Sequence, residues 1–367
     1  MKWETVKINQ LGQVITGNTP PRNNPELYGD FIPFIKPTDM EIDRKYTTNP
    51  EECYSEIGYE KYRKSLIPKG ATCVVTIGSI GKKMTQAYAD CFINQAVNAI
   101  IPNENYDQGF VFYLLKNNLD KVKGLDSGTS SGRENVSKSA FSSIQVNVNK
   151  HLPTQRRIAS ILSAYDDLIE NNLKRIRLLE ETAFLSYKVI VREEEMVLIN
   201  KLDEIIKPVK RKAKIPKSDY LQSGEFPIID QSTDFIGGYT NEKEAIYEEL
   251  PMIVFGDHTR ILKYVNFQFA CGADGTQLVQ PTNEKISVAY LYFELICCNL
   301  SNYHYARHFK FLKEQIIKLP NEKVMQEYKE ETDKVFNLIQ LLRLQNNKLR
   351  EARDILLPKL MNGQIEV

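Results

Sequence analysis

The chain has no apolar run of about 18 residues, the length a membrane-spanning helix requires. Its opening, MKWETVKINQLGQV, also lacks the apolar stretch of a secretory signal. A cytoplasmic protein without a membrane segment is therefore expected. Cysteine is sparse: six residues, at 53, 73, 91, 271, 297 and 298, with no CxxC spacing, which reads as reduced thiols. Histidine is rarer still, at four residues. Cys297, Cys298, His304 and His308 come nearest to a metal set. However, adjacent cysteines point in different directions, and structural zinc sites space them by two to four residues. His304 and His308 have the i, i+4 spacing of a zincin helix, yet Tyr305 stands where the catalytic glutamate would be. Buried cysteines and surface histidines are the expectation. Charge of one sign is missing as well. Lys plus Arg number 48 against 47 Asp plus Glu, so a polyanion site must come from local patches.

Catalytic motifs are absent too. A base methyltransferase needs a glycine-rich cofactor loop and a compact Asn/Asp-Pro-Pro-aromatic motif, and the chain contains neither. Thr76-Ile77-Gly78-Ser79-Ile80-Gly81-Lys82-Lys83 imitates the end of a P-loop, but Thr76 replaces the glycine and Lys83 the Ser/Thr. No Ser/His/Asp or Cys/His set stands out. No catalytic residue and no metal ligand is assigned.

What is present is helical periodicity. From Leu152 to about Val191, Ile158, Leu162, Tyr165, Ile169, Asn172, Ile176, Leu179, Ala183, Ser186 and Ile190 alternate spacings of four and three, a heptad seam. Pro153 sits in the first turn, where its missing N–H costs nothing. A second run opens at Leu319-Pro320, with its seam at Val335, Ile339, Leu342, Asn346, Leu349, Arg353, Leu356 and Leu360, and Gly363 as its stop. Each apolar stripe needs a partner, and the other run supplies it. Asn172 and Asn346 are polar residues within the seams, a pattern that specifies register.

Each helix is preceded by a block of short β-branched and aromatic runs divided by Gly/Pro/Asn turns. The first contains strand-like runs at Phe31–Ile35, Ala71–Ile77 and Ile144–Val148, and a helix-like Gly109–Val122. The second contains runs at Phe226–Ile229, Met252–Phe255 and Tyr264–Phe269, and a helix-like Val288–Leu300. The fold class is thus α+β: two globular α/β blocks separated by a pair of long antiparallel helices, a coiled coil. The boundaries read as residues 1–150 (first block), 151–195 (first spacer helix), 196–318 (second block) and 319–367 (second spacer helix), a loose repeat of about half the chain.

A strand ending in glycines brings backbone close to another backbone, a nucleic-acid one included. Ser79 and Lys82, or His258, Thr259 and Arg260, would then reach base edges or phosphates. The same turns also serve as plain β-turns. Lys207 to Lys217 carries six cations and no acid, Lys210, Arg211 and Lys212 among them. Such a run tracks phosphates or is a solvated linker. The polar loop around Arg133 either wraps a groove or is a surface loop.

The ordered motifs of the chain resemble the specificity subunit of type I restriction–modification systems. They are Gly17-Asn18-Thr19-Pro20-Pro21; Tyr28 to Asp39; Pro68-Lys69-Gly70; Ile77-Gly78-Ser79-Ile80-Gly81; Asn94-Gln95-Ala96; Leu152 to Ala159; Phe255-Gly256-Asp257-His258-Thr259; Gly272-Ala273-Asp274-Gly275; and Leu356 to Gly363. The resemblance covers nearly the whole chain and implies two target recognition domains, each reading half of a split sequence in double-stranded DNA. Thr19, Arg22, Lys36, Thr38, Asn94, Gln95, Asp257 and Gln277, in or beside these motifs, join the candidate contacts. Gly78-Ser79-Ile80-Gly81 faces Gly256-Asp257-His258-Thr259 at the matching position, which implies unlike half-sites. The resemblance further implies no cofactor in this chain, with S-adenosylmethionine, ATP and Mg on partner subunits. Those partners are two methyltransferase subunits docked on the helices, and restriction subunits. A self-contained restriction or methylation enzyme, and a coiled-coil adaptor without a DNA role, are the alternatives. The missing cofactor motifs speak against the first, and the glycine-ended strands against the second.

Overall fold

A computed structural model describes residues 3–127, 134–272, 275–300 and 307–367. The chain divides into two compact units, Met1–Asn172 with Gln345–Val367, and Leu173–Leu344. Each long helix therefore contributes a stretch to both units. The first runs Leu152–Glu193, 42 residues, and the second Glu322–Met361, 40 residues. Pro153 lies in the first turn of its helix. Leu319 and Pro320 do not open the second helix. They finish the strand Ile316–Pro320, and the Asn321 side chain caps the helix by accepting from the Val324 N–H at 3.0 Å. Gly363 ends it at φ +70°, with the Gln364 N–H returning to the Lys359 carbonyl at 2.9 Å. The single tryptophan, Trp3, packs on that end, so a Cβ at Gly363 would lie 2.5 Å from its Nε1.

Within each unit the helical stretches are antiparallel. In the first, Asp166 meets Arg353 and Asn172 meets Asn346; in the second, Glu180 meets Arg343 and Ala183 meets Tyr328. Ile158 and Leu162 share a core with Leu357 and Leu360, while Ile176 and Ala183 share one with Ile339 and Leu342. The seams extend beyond strict heptad positions, because Asp166, Tyr187, Thr332 and Phe336 are buried too. That wider stripe is needed because each helix faces a globular block as well as its partner.

Asn172 and Asn346 are buried and bonded to each other at 2.9 Å, and Asn346 also donates to the Ile169 carbonyl. Asn172→Leu alone leaves the buried Asn346 side-chain oxygen without its donor and is expected to cost about 1–3 kcal/mol. The double leucine variant should be near neutral or more stable, at the expense of register specificity. Urea unfolding of the four proteins checks this. A double variant as unstable as the sum of the singles would show that the amides do not act as a pair.

The blocks repeat one topology. In the first unit, Gly12–Thr16, Val97–Pro102, Thr72–Val75 and Met84–Gln86 form an antiparallel sheet in that order. Beside it, Ile32–Ile35 pairs parallel with Phe92–Ile93. In the second unit, Leu262–Val265, Met252–Gly256 and Thr276–Val279 form the corresponding antiparallel sheet, and Phe226–Ile229 pairs parallel with Phe269–Cys271. Every residue of Thr72–Val75 and of Met252–Gly256 is buried, as their continuous apolar character requires. Each block closes on an antiparallel strand pair that leads into a long helix: Trp3–Lys7 with Gln145–Asn149, and Met196–Lys201 with Ile316–Pro320.

Three elements are shorter than the apolar pattern suggests. Gly109–Val122 is two helices, Gln108–Lys116 and Leu119–Lys123, because the Asn118 side chain donates to the Leu114 carbonyl at the break. Tyr264–Phe269 is split between two strands, as the Asn266 amide turns to the Phe336 carbonyl. The last helix of the second block stops at Cys297.

Candidate nucleic-acid interface

In the first unit, four loops meet beyond the ends of the sheets. The Thr76 N–H donates to the Ala96 carbonyl at 2.8 Å, and its hydroxyl accepts from Asn98 Nδ2 at 2.9 Å. Gly78 and Gly81, at φ +89° and +71°, then turn the chain and leave Ser79 and Lys82 exposed. Lys83 Nζ holds the Pro37 carbonyl at 2.9 Å, which draws in the loop that carries Lys36 and exposed Thr38. Asn18 N–H reaches the Ile93 carbonyl at 2.9 Å, and Thr19 Oγ1 meets Gln95 Oε1 at 2.5 Å. Asn94 is engaged in its own turn, where its side-chain oxygen accepts from the Ala96 N–H at 3.1 Å. Arg22 and Lys36 are paired. Arg22 lies 2.8 Å from Glu52, and Lys36 lies 3.0 Å from Glu51 and 3.4 Å from Glu52. The Arg22 hydrogen bond holds the Glu52 carboxyl below its ordinary pKa, so this part of the site is charge-balanced. Arg133 lies outside the described residues, as do Ala273, Asp274 and His304.

Gly17 shows how tight this junction is. A Cβ there would lie 2.0 Å from the Ile93 carbonyl oxygen and 2.4 Å from that of Asn94, both backbone atoms. A Cβ at Gly78 would meet nothing within 4 Å and suffer only from its positive φ. Gly17→Ala is expected to destabilise the first unit by roughly 1–3 kcal/mol or more through overpacking. Gly78→Ala should cost about 1–2 kcal/mol through the left-handed backbone alone. Denaturant midpoints of the two variants test this. Gly17→Ala with wild-type stability would mean that the loops do not meet as described.

In the second unit, the Asp257 N–H donates to the Gly275 carbonyl at 2.6 Å and its carbonyl accepts from His308 N–H at 3.1 Å. Thr76 makes the same two contacts, to Ala96 and with Val136, so Asp257 corresponds to Thr76. Aligning Gly78 with Gly256 by sequence is therefore out of step with the structure. The Asp257 carboxylate is buried and accepts from the Phe309 N–H at 2.7 Å, so it ties a helix to the loop and does not face outward. His308 is buried beside it, with Nδ1 2.8 Å from the Asp257 carbonyl, and is not the surface residue its spacing suggests; Cys297, conversely, is exposed. No metal-binding cluster exists among the described residues.

His258, Thr259 and Arg260 form the exposed tip of this loop. Thr259 Oγ1 donates to the Gln231 carbonyl at 2.8 Å, and Gln231 Oε1 accepts from the His258 N–H at 3.3 Å. Arg260 adopts φ +62°, and its guanidinium reaches the Leu300 carbonyl at 3.3 Å, which makes it first a brace of the loop. Gln231, absent from the sequence-derived candidates, is the hub: it also faces Gly275, where a Cβ would lie 2.9 Å from its amide. The adjacent Asp230 is anchored. Burial would raise its pKa, but hydrogen bonds from Ser232 and the charge of buried Lys263 hold it below the ordinary value. Nothing in the spacing of Gln231 marks it; only the fold brings residues 231 and 258 together. Gln277 is half-buried opposite Phe255, Lys210 and Arg211 are exposed, and Lys212 is tethered to the Ile246 carbonyl.

Residues 1–181 match the type I restriction modification DNA specificity domain family. Along its full length the chain is 24% identical, over 412 residues, to the MjaIX specificity subunit of Methanocaldococcus jannaschii, and covers 94% of it. The chain belongs to the type I specificity subunits. It is also 30% identical over 184 residues, 48% of its length, to the HindI specificity subunit of Haemophilus influenzae, a match that spans 39% of that protein. A type I S subunit from M. genitalium shares the fold, with TM-score 0.59 and 17% identity over 98% of this chain and 96% of that one. The family matched by residues 1–181 is, by its description, a DNA specificity domain of such systems. No helix among the described residues is long and apolar enough to cross a membrane.

Proposed function

We propose that this specificity subunit reads a bipartite duplex target, one half through each unit, and is not itself a catalyst. The observation that carries the reading is the repeat. Each unit ends its central buried strand in a loop, at Thr76 and at Asp257, held against the loop that follows the parallel strand pair. The exposed residues there are of types that reach base edges: Thr19, Ser79 and Gln95 in the first unit, His258 and Thr259 in the second. Lys82, Lys210 and Arg211 supply phosphate contacts, which position without specifying. Two methyltransferase subunits dock on the outer faces of the long helices and bring S-adenosylmethionine, while restriction subunits bring ATP and Mg. Cytoplasmic location follows from that partnership.

The test is binding and turnover by the purified chain. Binding should prefer one split sequence and weaken with salt, since displaced counterions set the slope. Neither methyl transfer nor cleavage should occur until the partners are added. Turnover by the chain alone, with partner contamination excluded, would reject the non-catalytic assignment. Salt-independent behaviour without sequence preference would reject DNA reading.

A further inference from the structure

Gln231 follows the strand Phe226–Ile229 by two residues, and Pro37 follows the corresponding strand, Ile32–Ile35, by the same two. In both units the backbone carbonyl at this position is clamped from the loop after the central buried strand. Lys83 Nζ holds that of Pro37 at 2.9 Å, and Thr259 Oγ1 holds that of Gln231 at 2.8 Å. The fold thus uses the carbonyl here, and a proline meets that need in the first unit. The Gln231 amide is an addition. Its Oε1 accepts one hydrogen bond, from the His258 N–H at 3.3 Å, which leaves a second lone pair. Its Nε2 makes no hydrogen bond among the described residues, yet it is not a buried atom. The space before the amide is kept clear by a separate feature. Gly275, at φ +66°, faces it, and a Cβ there would lie 2.9 Å from both Nε2 and Oε1 and 2.7 Å from His258 Cδ2. Any side chain at 275 would cover the amide; glycine leaves it open.

We propose that Gln231 reads an adenine of the second half-site in the major groove, donating from Nε2 to N7 and accepting from the N6 amino group at Oε1. Adenine is the one base whose major-groove edge sets a donor beside an acceptor, and a terminal amide matches both at once. The His258 N–H fixes which amide atom is the oxygen, so the direction of the pairing is preset. The first unit, with proline at the matching position, has no such contact. The inference rests on the DNA-reading function proposed above and adds to it a residue and the base that it selects.

The experiment offers the full chain duplexes in which each position of the target is varied in turn, and compares wild type with Gln231→Ala and Gln231→Glu. Both variants keep the carbonyl that Thr259 holds, so the loop stays clamped. Wild type should favour A at one position of the second half-site by about 5- to 150-fold. Gln231→Ala should lose that preference, with the first half-site and the salt slope unchanged, because a neutral contact displaces no counterion. Gln231→Glu separates reading from bracing. Its carboxylate still accepts from the His258 N–H, so a mere brace would keep the preference for A. A reading carboxylate accepts but cannot donate, so the preference should move to C, whose N4 is a donor. At the same position, 7-deazaadenine lacks the N7 acceptor and should weaken wild type while leaving Gln231→Ala unaffected. Should Gln231→Ala fail to fold, Gln231→Glu and the 7-deazaadenine duplex with wild type carry the test. A wild-type chain that reads a split sequence while Gln231→Glu keeps its preference at every position overturns the role of Gln231 alone. A wild-type chain without sequence preference overturns the DNA reading and this inference with it.

Discussion

Replacing Arg353 by methionine is expected to cost the first unit about 3–5 kcal/mol, the penalty for leaving one member of a buried ion pair without its partner. Arg353 is fully buried, with Nη1 2.5 Å from Asp166 and Nε 2.8 Å from Asp354. Burial on its own would lower the guanidinium pKa, but the bond to Asp354 and the charge of Asp166 carry it above its ordinary value. The second oxygen of Asp166 accepts from Tyr113 Oη at 2.5 Å, so the carboxylate joins the globular block to the helices. Burial, and then the Asp166 charge, push the Tyr113 phenol up, which keeps it a donor. At about 2–4 °C per kcal/mol for a unit of this size, the loss appears as a large drop in its melting temperature. Replacing Asp166 by leucine together with Arg353 by methionine should recover most of it, because an apolar pair of similar volume no longer strands a charge. The chain has two units, so the transition of the first must be followed separately, for example by hydrogen exchange. A single-methionine variant that melts like wild type would show that the network does not hold the unit together.

Exchanging residues 1–150 for the corresponding block of another type I specificity subunit is expected to change one half of the target and leave the other. At about 1–3 kcal/mol per read base pair, two or three pairs amount to roughly 2–9 kcal/mol of discrimination between old and new half-sites. The first unit sets a condition on this exchange. Arg44 bonds Glu170 at 3.1 and 2.6 Å, Lys45 Nζ donates to Ser163 at 2.8 Å, and Tyr113 donates to Asp166. A donor block without counterparts to these three leaves Glu170, Ser163 and one oxygen of Asp166 without their partners on the first long helix. The exchange should therefore succeed best when residues 1–172 and 345–367, the whole compact unit, travel together. Target mapping by methylation with the partner subunits checks both forms. A change in both half-sites would contradict independent reading by the two units.

Much of this was legible in the residues because it is local. Heptad spacing identified both long helices, since a helix must bury a stripe wherever its partner comes from. Glycines before polar tips identified the turns at residues 78–81 and 256–260, because positive φ and close approach leave few other choices. The breaks at Asn118 and Asn266 were not legible, since an asparagine ends an element only when a carbonyl lies in reach.

The sequence by itself determined the fold class, the repeat and the glycine turns with their polar tips, as these follow from periodicity and turn chemistry. Only the tertiary structure decided which side chains are free to act. Asp257 lies in a candidate motif yet is consumed by the Phe309 N–H, Arg22 and Lys36 are taken by Glu51 and Glu52, and Gln231 becomes the hub of a loop 27 residues away. Arg353 looks like an error in an apolar seam until Asp166 is seen 2.5 Å away. The physical reason is common to all four. Whether a polar group is presented, paired or spent depends on partners distant in the chain, and no local pattern encodes their arrival.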